Sequence, residues 1–208
     1  MADALIQVRP DLVGGRLSLD FVNSEGGVRN GPPEWIETYE DLLEWSTHAG
    51  GLNRSTVDGL RSAALADHAA ARAAAQRALE LREALYRLFT ATLDGRAPDR
   101  DDQRVFTSEL RGALSRLRPE PAEAAWEWRF DEEGGLDRVI WPIVRDAADL
   151  LTSDELRRVK ECAGPDCTWL FIDQSRNRSR RWCDMAVCGN RSKARRHYQR
   201  TKAADDEG

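Results

Sequence analysis

The sequence predicts a mostly α-helical N-terminal domain with a small β element, an α+β arrangement, followed by a small C-terminal module built on four cysteines. Apolar residues recur at helical spacing through most of residues 1–152. All four cysteines of the 208-residue chain stand in its last quarter, at Cys162, Cys167, Cys183 and Cys188. The segment 157–202 holds 13 basic and 4 acidic residues, a net charge of +9, which leaves −14 on the rest. We therefore expect an acidic body with a basic tip.

The first element is predicted to be a strand over Val13–Ser24, because Leu17, Leu19 and Phe21 alternate with Ser18, Asp20 and Val22. Gly26–Pro33 then interrupts regular structure. Apolar residues at i, i+3 and i+4 next predict four helices, with glycine or proline near their ends. These are Tyr39–Ala49, a helix capped by Asn53 or Ser55, a long helix Ala69–Leu93, and Arg100–Leu117.

Three more elements lead up to the cysteines. Trp126, Trp128 and Phe130 alternate, which predicts a second strand or hairpin arm. Helical spacing returns over Arg138–Leu151. The capping pattern Thr152–Glu155 predicts a short helix that runs up to Lys160. The domain boundary is expected near residue 152.

Several side chains of the N-terminal domain have two possible roles. Large aromatic side chains belong to the core of a domain this size or, alternatively, line a ligand pocket. The tryptophans in question are Trp35, Trp45, Trp126, Trp128 and Trp141. Asp20 and Asn23 are polar within an apolar run, so they either face a pocket or form hydrogen bonds to turns.

The cysteines form two C-x4-C pairs separated by fifteen residues. Two close thiolate pairs are what a single structural Zn²⁺ requires, since this ion takes four tetrahedral ligands. Two disulfides are the alternative, and an iron–sulfur cluster is a third, although these spacings match no standard ferredoxin run. The N-terminus lacks the apolar core of a secretory signal, and no stretch reaches the length of a membrane span. A cytoplasmic protein with reduced thiols is therefore expected, which favours zinc over disulfides.

The residues around the cysteines predict a treble-clef-like finger. The run TWLFID is β-prone, QSRNRS is turn-like, and RRW leads to Cys183, so a short hairpin is expected between the two pairs. A basic helix should follow over Arg191–Lys202, with Ala194, Tyr198 and Thr201 packed toward the hairpin. Trp169, Trp182 and Asn190 are assigned structural roles, Asn190 as a cap or as support for the second pair.

The module resembles the CGNR zinc-finger family, whose name is the tetrapeptide found here as Cys188, Gly189, Asn190 and Arg191. The stretches GGRLSLDFVNS, LLEWSTHAGGL and LREALYRLF are similar to the ABATE domain, which precedes this finger in bacterial proteins. The resemblance implies a stress-induced transcription regulator that binds duplex DNA through its finger. We divide the chain accordingly into an ABATE-like regulatory or ligand-sensing domain (1–152), a CGNR-type zinc finger (153–202) and an acidic, disordered tail (203–208).

The basic residues of the finger are the candidate nucleic-acid contacts. The candidates on the turn are Arg176, Arg178, Arg180 and Arg181. Those on the helix are Arg191, Lys193, Arg195, Arg196, Gln199, Arg200 and Lys202. We expect the turn to grip phosphates and the helix to read bases. Alternatively, the cluster is a solvated face docked on the acidic body, or it binds RNA or a protein partner.

An enzyme is not expected, and no catalytic residue is assigned. Four cysteine ligands leave no open position at which zinc would activate water. The sequence also lacks the G-x-S-x-G, P-loop and H-E-x-x-H motifs. A small-molecule ligand of the N-terminal domain and a homodimer are further partners that the sequence allows, because one small finger buries little surface on DNA. No membrane partner is expected.

Overall fold

The computed structural model describes residues 11–25, 34–131, 135–164 and 167–206. Within these residues the helices are α1 (Leu17–Val22), α2 (Tyr39–His48), α3 (Arg54–Ala66), α4 (His68–Leu93), α5 (Arg100–Leu114), α6 (Trp141–Leu151) and α7 (Asn190–Asp206). The strands are β1 (Leu117–Pro121), β2 (Trp126–Phe130), β3 (Val159–Glu161) and β4 (Leu170–Ile172). Two 3₁₀ turns, Gly135–Val139 and Asp154–Arg158, precede α6 and β3. The predicted class, mostly helical with small β elements, is confirmed; the Gly26–Pro33 interruption lies outside the described residues. No described helix is long and apolar enough to cross a membrane.

Polar side chains fix where the predicted helices begin. Thr38 accepts a hydrogen bond from the Asp41 N–H, and the Asp41 carboxylate accepts one from the Thr38 N–H, so α2 opens with a capping box. Asn53, rather than Ser55, caps α3 by accepting from the Thr56 N–H. Asp67 and Asp99 cap α4 and α5 in the same way. Helices α2 to α5 therefore start within about one residue of the positions that the sequence pattern predicts.

The long helix α4 is central to the core. It packs against α1, α2, α3 and α5. Its inward side chains recur at helical spacing, and Leu81, Leu85 and Phe89 are fully buried. Each large apolar side chain buried in this way stabilises the fold by roughly 1.5–3 kcal/mol.

The prediction of a strand over Val13–Ser24 is wrong, because residues 17–22 form the short helix α1. The alternation misled because Phe21 and its neighbour Val22 are both buried, so apolar contacts surround the segment. The carboxylate of Asp146 on α6 also accepts hydrogen bonds from the Ser18 N–H and hydroxyl, at 2.8 and 2.6 Å. A donor of the first helical turn is thereby satisfied by a residue distant in sequence.

The predicted strand around Trp126 is confirmed as β2, which pairs antiparallel with β1. The residues of β1 were expected to form the end of the preceding helix and an interruption at the prolines. Instead, α5 ends at Leu114, and both Pro119 and Pro121 lie within β1. The core assignment of Trp126 and Trp128 is wrong, since their exposed fractions are 71% and 56%. Trp45 and Trp141 are buried as expected, and Trp35 is half-buried.

The strands of the finger are paired differently from the prediction. The expected helix up to Lys160 is a 3₁₀ turn that ends at Arg158, and β3 follows directly. Strand β4 pairs with β3, on the far side of the first cysteine pair, and not with the RRW segment as predicted. RRW instead lies beside the loop that follows Cys162, where the Arg181 carbonyl accepts a hydrogen bond from the Ala163 N–H at 2.8 Å. A β-prone run does not specify its partner, which here is selected by burial of β4 on both faces.

Strand β4 also belongs to the core of the N-terminal domain. Leu170 and Ile172 are buried in the same cluster as the α4 side chains. The amide of Asn23, just after α1, donates to the Leu170 carbonyl and accepts from the Leu170 N–H, both at 2.8 Å. The Gly14 carbonyl accepts from the Ile172 N–H at 2.9 Å. Asn23 therefore forms hydrogen bonds rather than facing a pocket, and residues on both sides of position 152 share one core.

Candidate metal centre and basic surface

The four cysteines converge on one point. Their Sγ atoms all lie within 4.8 Å of one another, and all four residues are buried and form no disulfide. Two of the Sγ separations are 3.8 Å (Cys167 to Cys183) and 3.7 Å (Cys183 to Cys188). Four sulfurs at about 2.3 Å from a tetrahedral Zn²⁺ are about 3.8 Å apart. The donor set and its geometry therefore fit a single structural zinc, as predicted.

The first cysteine pair is held by the ends of β3 and β4. The Cys162 N–H donates to the Trp169 carbonyl at 2.9 Å, which extends the ladder to the ligand. The N–H groups of Gly164 and Cys183 point at Cys162 Sγ at 3.4 and 3.3 Å. A Cβ on Gly164 would lie 3.1 Å from Cys188 Cβ and 3.3 Å from the Sγ atoms of Cys162 and Cys188. A side chain at position 164 would therefore crowd the sulfurs, and glycine lets the loop after Cys162 approach the second cysteine pair closely.

Four crowded thiols require a cation before all of them can ionise. Hydrogen bonds from Cys167 and Cys183 lower the pKa of Cys162. Burial and the neighbouring charge of Cys162 raise the pKa of Cys188. Zinc would supply two positive charges at this point and make four adjacent thiolates compatible. Because its four ligands come from the chain, the ion would support the fold and leave no open position for a substrate.

An aromatic cluster surrounds the sulfurs. Trp169 and Phe171 are buried beside the cysteines, and Trp182 packs against them. The Arg180 guanidinium lies over the Phe171 ring, 4.5 Å from its centroid, and donates to the carbonyls of Trp182 and Cys183. Arg180 is thus engaged with the loop that carries the second cysteine pair, although the sequence analysis grouped it with the nucleic-acid contacts.

The arginine-rich turn is organised by Asp173, at the end of β4. Its fully buried carboxylate accepts from Lys160 Nζ at 2.6 Å, from the Arg180 N–H at 3.0 Å, and from the Ser175 N–H and hydroxyl. Burial opposes the charge, but the hydrogen bonds from Lys160 and Ser175 outweigh it and hold the pKa of this carboxyl well below its usual range. Lys160 Nζ also donates to the Arg178 carbonyl at 2.6 Å.

Sequence reasoning missed this arrangement because Lys160 and Asp173 look like ordinary surface charges. The only signal was an acid placed directly after a β-prone run. Three turn arginines are exposed around the buried carboxylate, namely Arg176, Arg178 and Arg181. Arg178 has a φ of +49°, and the guanidinium of Arg181 lies 5.6 Å from the centroid of the Trp182 ring.

The helix α7 is attached to the same loop. A π-helical turn, Met185–Gly189, leads into it, and Asp184 caps this turn by accepting from the Val187 N–H at 2.9 Å. Asn190 donates to the Ala186 carbonyl at 2.9 Å, which supports the turn. Trp182 Nε1 donates to the Ser192 hydroxyl at 3.0 Å. The turn arginines and α7 are therefore both mounted on residues adjacent to the cysteines.

Beyond Ser192, every α7 side chain that the structure describes is exposed. The exposed candidates here are Lys193, Arg195, Arg196, Gln199 and Lys202. Arg191, at the start of the helix, is half-buried, and the side chain of Arg200 lies outside the described residues. The expected packing of Ala194 and Tyr198 on a hairpin is wrong: both are exposed, Tyr198 to 70%, and Thr201 lies outside the described side chains. The helix also continues to Asp206, into the segment predicted as a disordered tail.

Two protein-family models match this chain. The CGNR zinc finger matches residues 158–201. The ABATE model, described as "Putative stress-induced transcription regulator", matches residues 15–154 and so covers more than half of the sequence. Neither is a family of enzymes. No curated protein matches the chain.

Proposed function

The chain belongs to the ABATE family and carries a CGNR zinc finger, and we propose that it is a transcription regulator that binds duplex DNA through α7 and the arginine-rich turn. The observation that carries this proposal is α7 itself. It is a 17-residue helix whose described side chains are exposed from Lys193 onward and include four cations and no acid. A helix whose described side chains beyond Ser192 are all exposed and mostly cationic is suited to a charged partner.

The dimensions and chemistry of α7 suit a major groove. Seventeen residues extend about 25 Å, and the groove of B-DNA is about 12 Å wide and admits a helix. Arg191, Arg195 and Gln199 follow one another at four-residue intervals and so share a face. Arginine binds guanine O6 and N7, and glutamine binds adenine, so this face is assigned to base edges. Lys202 lies on the same face at the far end of the helix, and Arg196, which lies beside this face, is assigned to a phosphate.

The turn is assigned to the DNA backbone. Arg176, Arg178 and Arg181 are exposed on a loop that the buried Asp173 carboxylate holds in place. A fixed loop loses less conformational entropy on binding than a mobile one. Arg180 is assigned a positioning role instead, because its guanidinium donates to two carbonyls of its own loop.

The N-terminal domain would control how the finger meets DNA, either by sensing a ligand or by dimerising. Gly14 and Asn23, which flank α1, form hydrogen bonds to β4, so a displacement of α1 would be transmitted to the finger. A surface groove of about 550 Å³ between α2, α3 and α4, lined by Tyr39, Leu65 and Leu79 among others, is the candidate ligand site. In the cytoplasm the four cysteines of the finger would stay reduced, and so they would be free to bind zinc.

The proposal is tested with the zinc-loaded chain and a pool of random duplexes across a salt series. Regulator function predicts affinity that falls steeply with salt, together with enrichment of a defined sequence. An Arg195→Ala variant should lose that enrichment, whereas Arg104→Ala, an exposed arginine on α5, should keep it. Absence of duplex binding at low salt would refute the proposal. Preference for structured RNA would favour the alternative, to which the exposed Tyr198 ring would contribute by stacking on unpaired bases.

A further inference from the structure

The β1–β2 hairpin carries an exposed aromatic surface. Phe130, at its base, packs on Trp141 of α6, with 5.4 Å between ring centroids. Farther out, Trp126 and Trp128 are 71% and 56% exposed on the same face of β2. A two-stranded hairpin is marginally stable alone, and exposed apolar patches of this kind mark interaction sites. The hairpin is therefore a candidate docking surface.

The two edges of the hairpin differ in what they offer a further strand. The bonds from the Asp131 N–H to the Arg116 carbonyl and from the Ala122 N–H to the Ala125 carbonyl fix which pairs are hydrogen-bonded. By alternation, Pro119 opposite Trp128 and Pro121 opposite Trp126 are non-hydrogen-bonded pairs whose backbone groups point outward. The outer edge of β1 thus lacks two N–H donors.

The outer edge of β2 is complete by comparison. It presents the N–H and C=O groups of Trp126, Trp128 and Phe130. Among the residues that the structure describes, no backbone hydrogen bond outside the hairpin uses these groups. An extended strand can therefore add to the β2 edge, whereas prolines block the β1 edge.

The charged face of the hairpin indicates which strand fits. Within the hairpin, Arg118 stands opposite Arg129 and Glu120 opposite Glu127. Like charges placed directly opposite each other are unfavourable. Diagonal contacts relieve them in part, with Arg129 lying 3.6 Å from the carboxylate of Glu120. A further strand next to β2 would be stabilised if it placed a cation opposite Glu127 and an acid opposite Arg129.

The reverse order is supplied by β2 itself when it runs antiparallel. The strand reads Trp-Glu-Trp-Arg-Phe, so two copies centred on Trp128 place Glu127 opposite the partner's Arg129, and Arg129 opposite the partner's Glu127. Trp126 then lies opposite the partner's Phe130. If the pairing is centred on residue 127 or 129 instead, Glu127 lies opposite the Glu127 of the second copy, or Arg129 opposite its Arg129, and like charges meet. The centred register is therefore the one with matched charges, and it pairs the outward backbone groups.

We propose that a second copy of this chain docks on the β2 edge, antiparallel and centred on Trp128, to form a four-stranded sheet across a two-fold axis. The sheet would place the exposed tryptophans of both copies next to each other on one face, where each covers part of its neighbour. A two-fold pair would also present two fingers to a palindromic site. This regulatory meaning rests on the proposed function, but self-association is measured without DNA, so each proposal can fail alone.

The test uses sedimentation velocity on the zinc-loaded full chain, from about 1 to 100 µM, the range of weak to moderate protein interfaces. The wild type should show a monomer–dimer equilibrium. Glu127→Arg and Arg129→Glu should each weaken it by about tenfold or more, because each places like charges across both symmetric contacts. Within the hairpin each change removes the ion pair between Arg129 and Glu127, which lie 3.3 Å apart, but it also places opposite charges across from each other on β1 and β2. Arg104→Glu, which makes the same change of charge on exposed α5, should dimerise like the wild type.

Mixing the two interface variants tests the register. One copy then carries two arginines at positions 127 and 129 and the other carries two glutamates, so the mixture should recover wild-type association as a heterodimer. The double variant Glu127→Arg/Arg129→Glu should recover it as a homodimer. A wild type that stays monomeric would overturn the proposal and leave the edge to a different partner. Single variants that dimerise normally, or a mixture that does not recover, would overturn it as well.

Discussion

A single substitution at Asn23 should weaken the contact between the N-terminal domain and strand β4 of the finger. Its buried amide makes both hydrogen bonds to the Leu170 backbone, at 2.8 Å each. Asn23→Ala would leave one buried N–H and one buried C=O of β4 unpaired. Each such group costs about 1–3 kcal/mol, so we expect the free energy of unfolding to fall by about 2–5 kcal/mol.

The same change should weaken zinc binding. Cys167 lies three residues before Leu170, and the Cys162 N–H is bonded to the carbonyl of Trp169 in the same strand. If β4 is loosened, the first cysteine pair loses its fixed spacing. Metal release to a competing chelator should therefore be faster in Asn23→Ala than in the wild type.

Two assays check this expectation, urea unfolding for stability and chelator competition for zinc. Asn53→Ala serves as the matched control, since it removes an asparagine that caps α3 without touching β4. That cap is worth about 1 kcal/mol, and its loss should leave zinc release unchanged. If Asn23→Ala costs no more than Asn53→Ala, or if zinc release is unaffected, the clamp between α1 and β4 is refuted.

Three further outcomes are expected. Burial raises the pKa of Asp20 from its ordinary 3.8 to about 6, so the native state holds a proton that the unfolded state loses, and the stability of the protein falls as pH rises from about 4 to 6. In urea titrations, Asp20→Asn should be more stable than the wild type by about 1–3 kcal/mol at pH 7 and about equally stable at pH 4. Cys183→Ser should abolish zinc binding, measured by metal analysis, and should lower the midpoint of a single thermal transition, because β4 belongs to both the finger and the core of the N-terminal domain. Two separate transitions would contradict a common core. Arg176→Ala should reduce the slope of log K against log salt by about one for all duplexes alike, and a sequence-dependent loss would move this residue to the base-reading set.

The sequence specifies the zinc site and the helices well because both depend on local spacing. A C-x4-C pair already restricts the distance between its two sulfurs, and the caps at Thr38 and Asn53 act within three residues. The strand pairing of the finger and the helix α1 were predicted wrongly, because each depends on a distant partner. Asp146 satisfies the start of α1, and β3 and Asn23 select the position of β4. Apolar periodicity carries no information about such partners.

The exposed tryptophans were misassigned for a related reason. Alternation along β2 identifies a strand with one apolar face, but it does not say which molecule covers that face. Phe130 is covered by α6 of the same chain, while Trp126 extends past it. The arrangement of Glu127 and Arg129 around Trp128 is visible in the sequence, yet it acquires meaning only after the structure shows that the prolines occupy the opposite edge.

The two family matches end and begin only a few residues apart, at positions 154 and 158, but the fold does not divide there. Val159, Leu170 and Ile172 fall within the finger match and are buried with the α4 side chains. A finger docked in this way cannot swing on a flexible linker. Its orientation follows α1, which packs on α4 and α6, and α6 carries the Trp141 contact to the β1–β2 hairpin. Docking of a second copy on β2 would therefore fix the relative placement of two fingers through packed elements, and the spacing of any palindromic site would be set by the body rather than by the fingers.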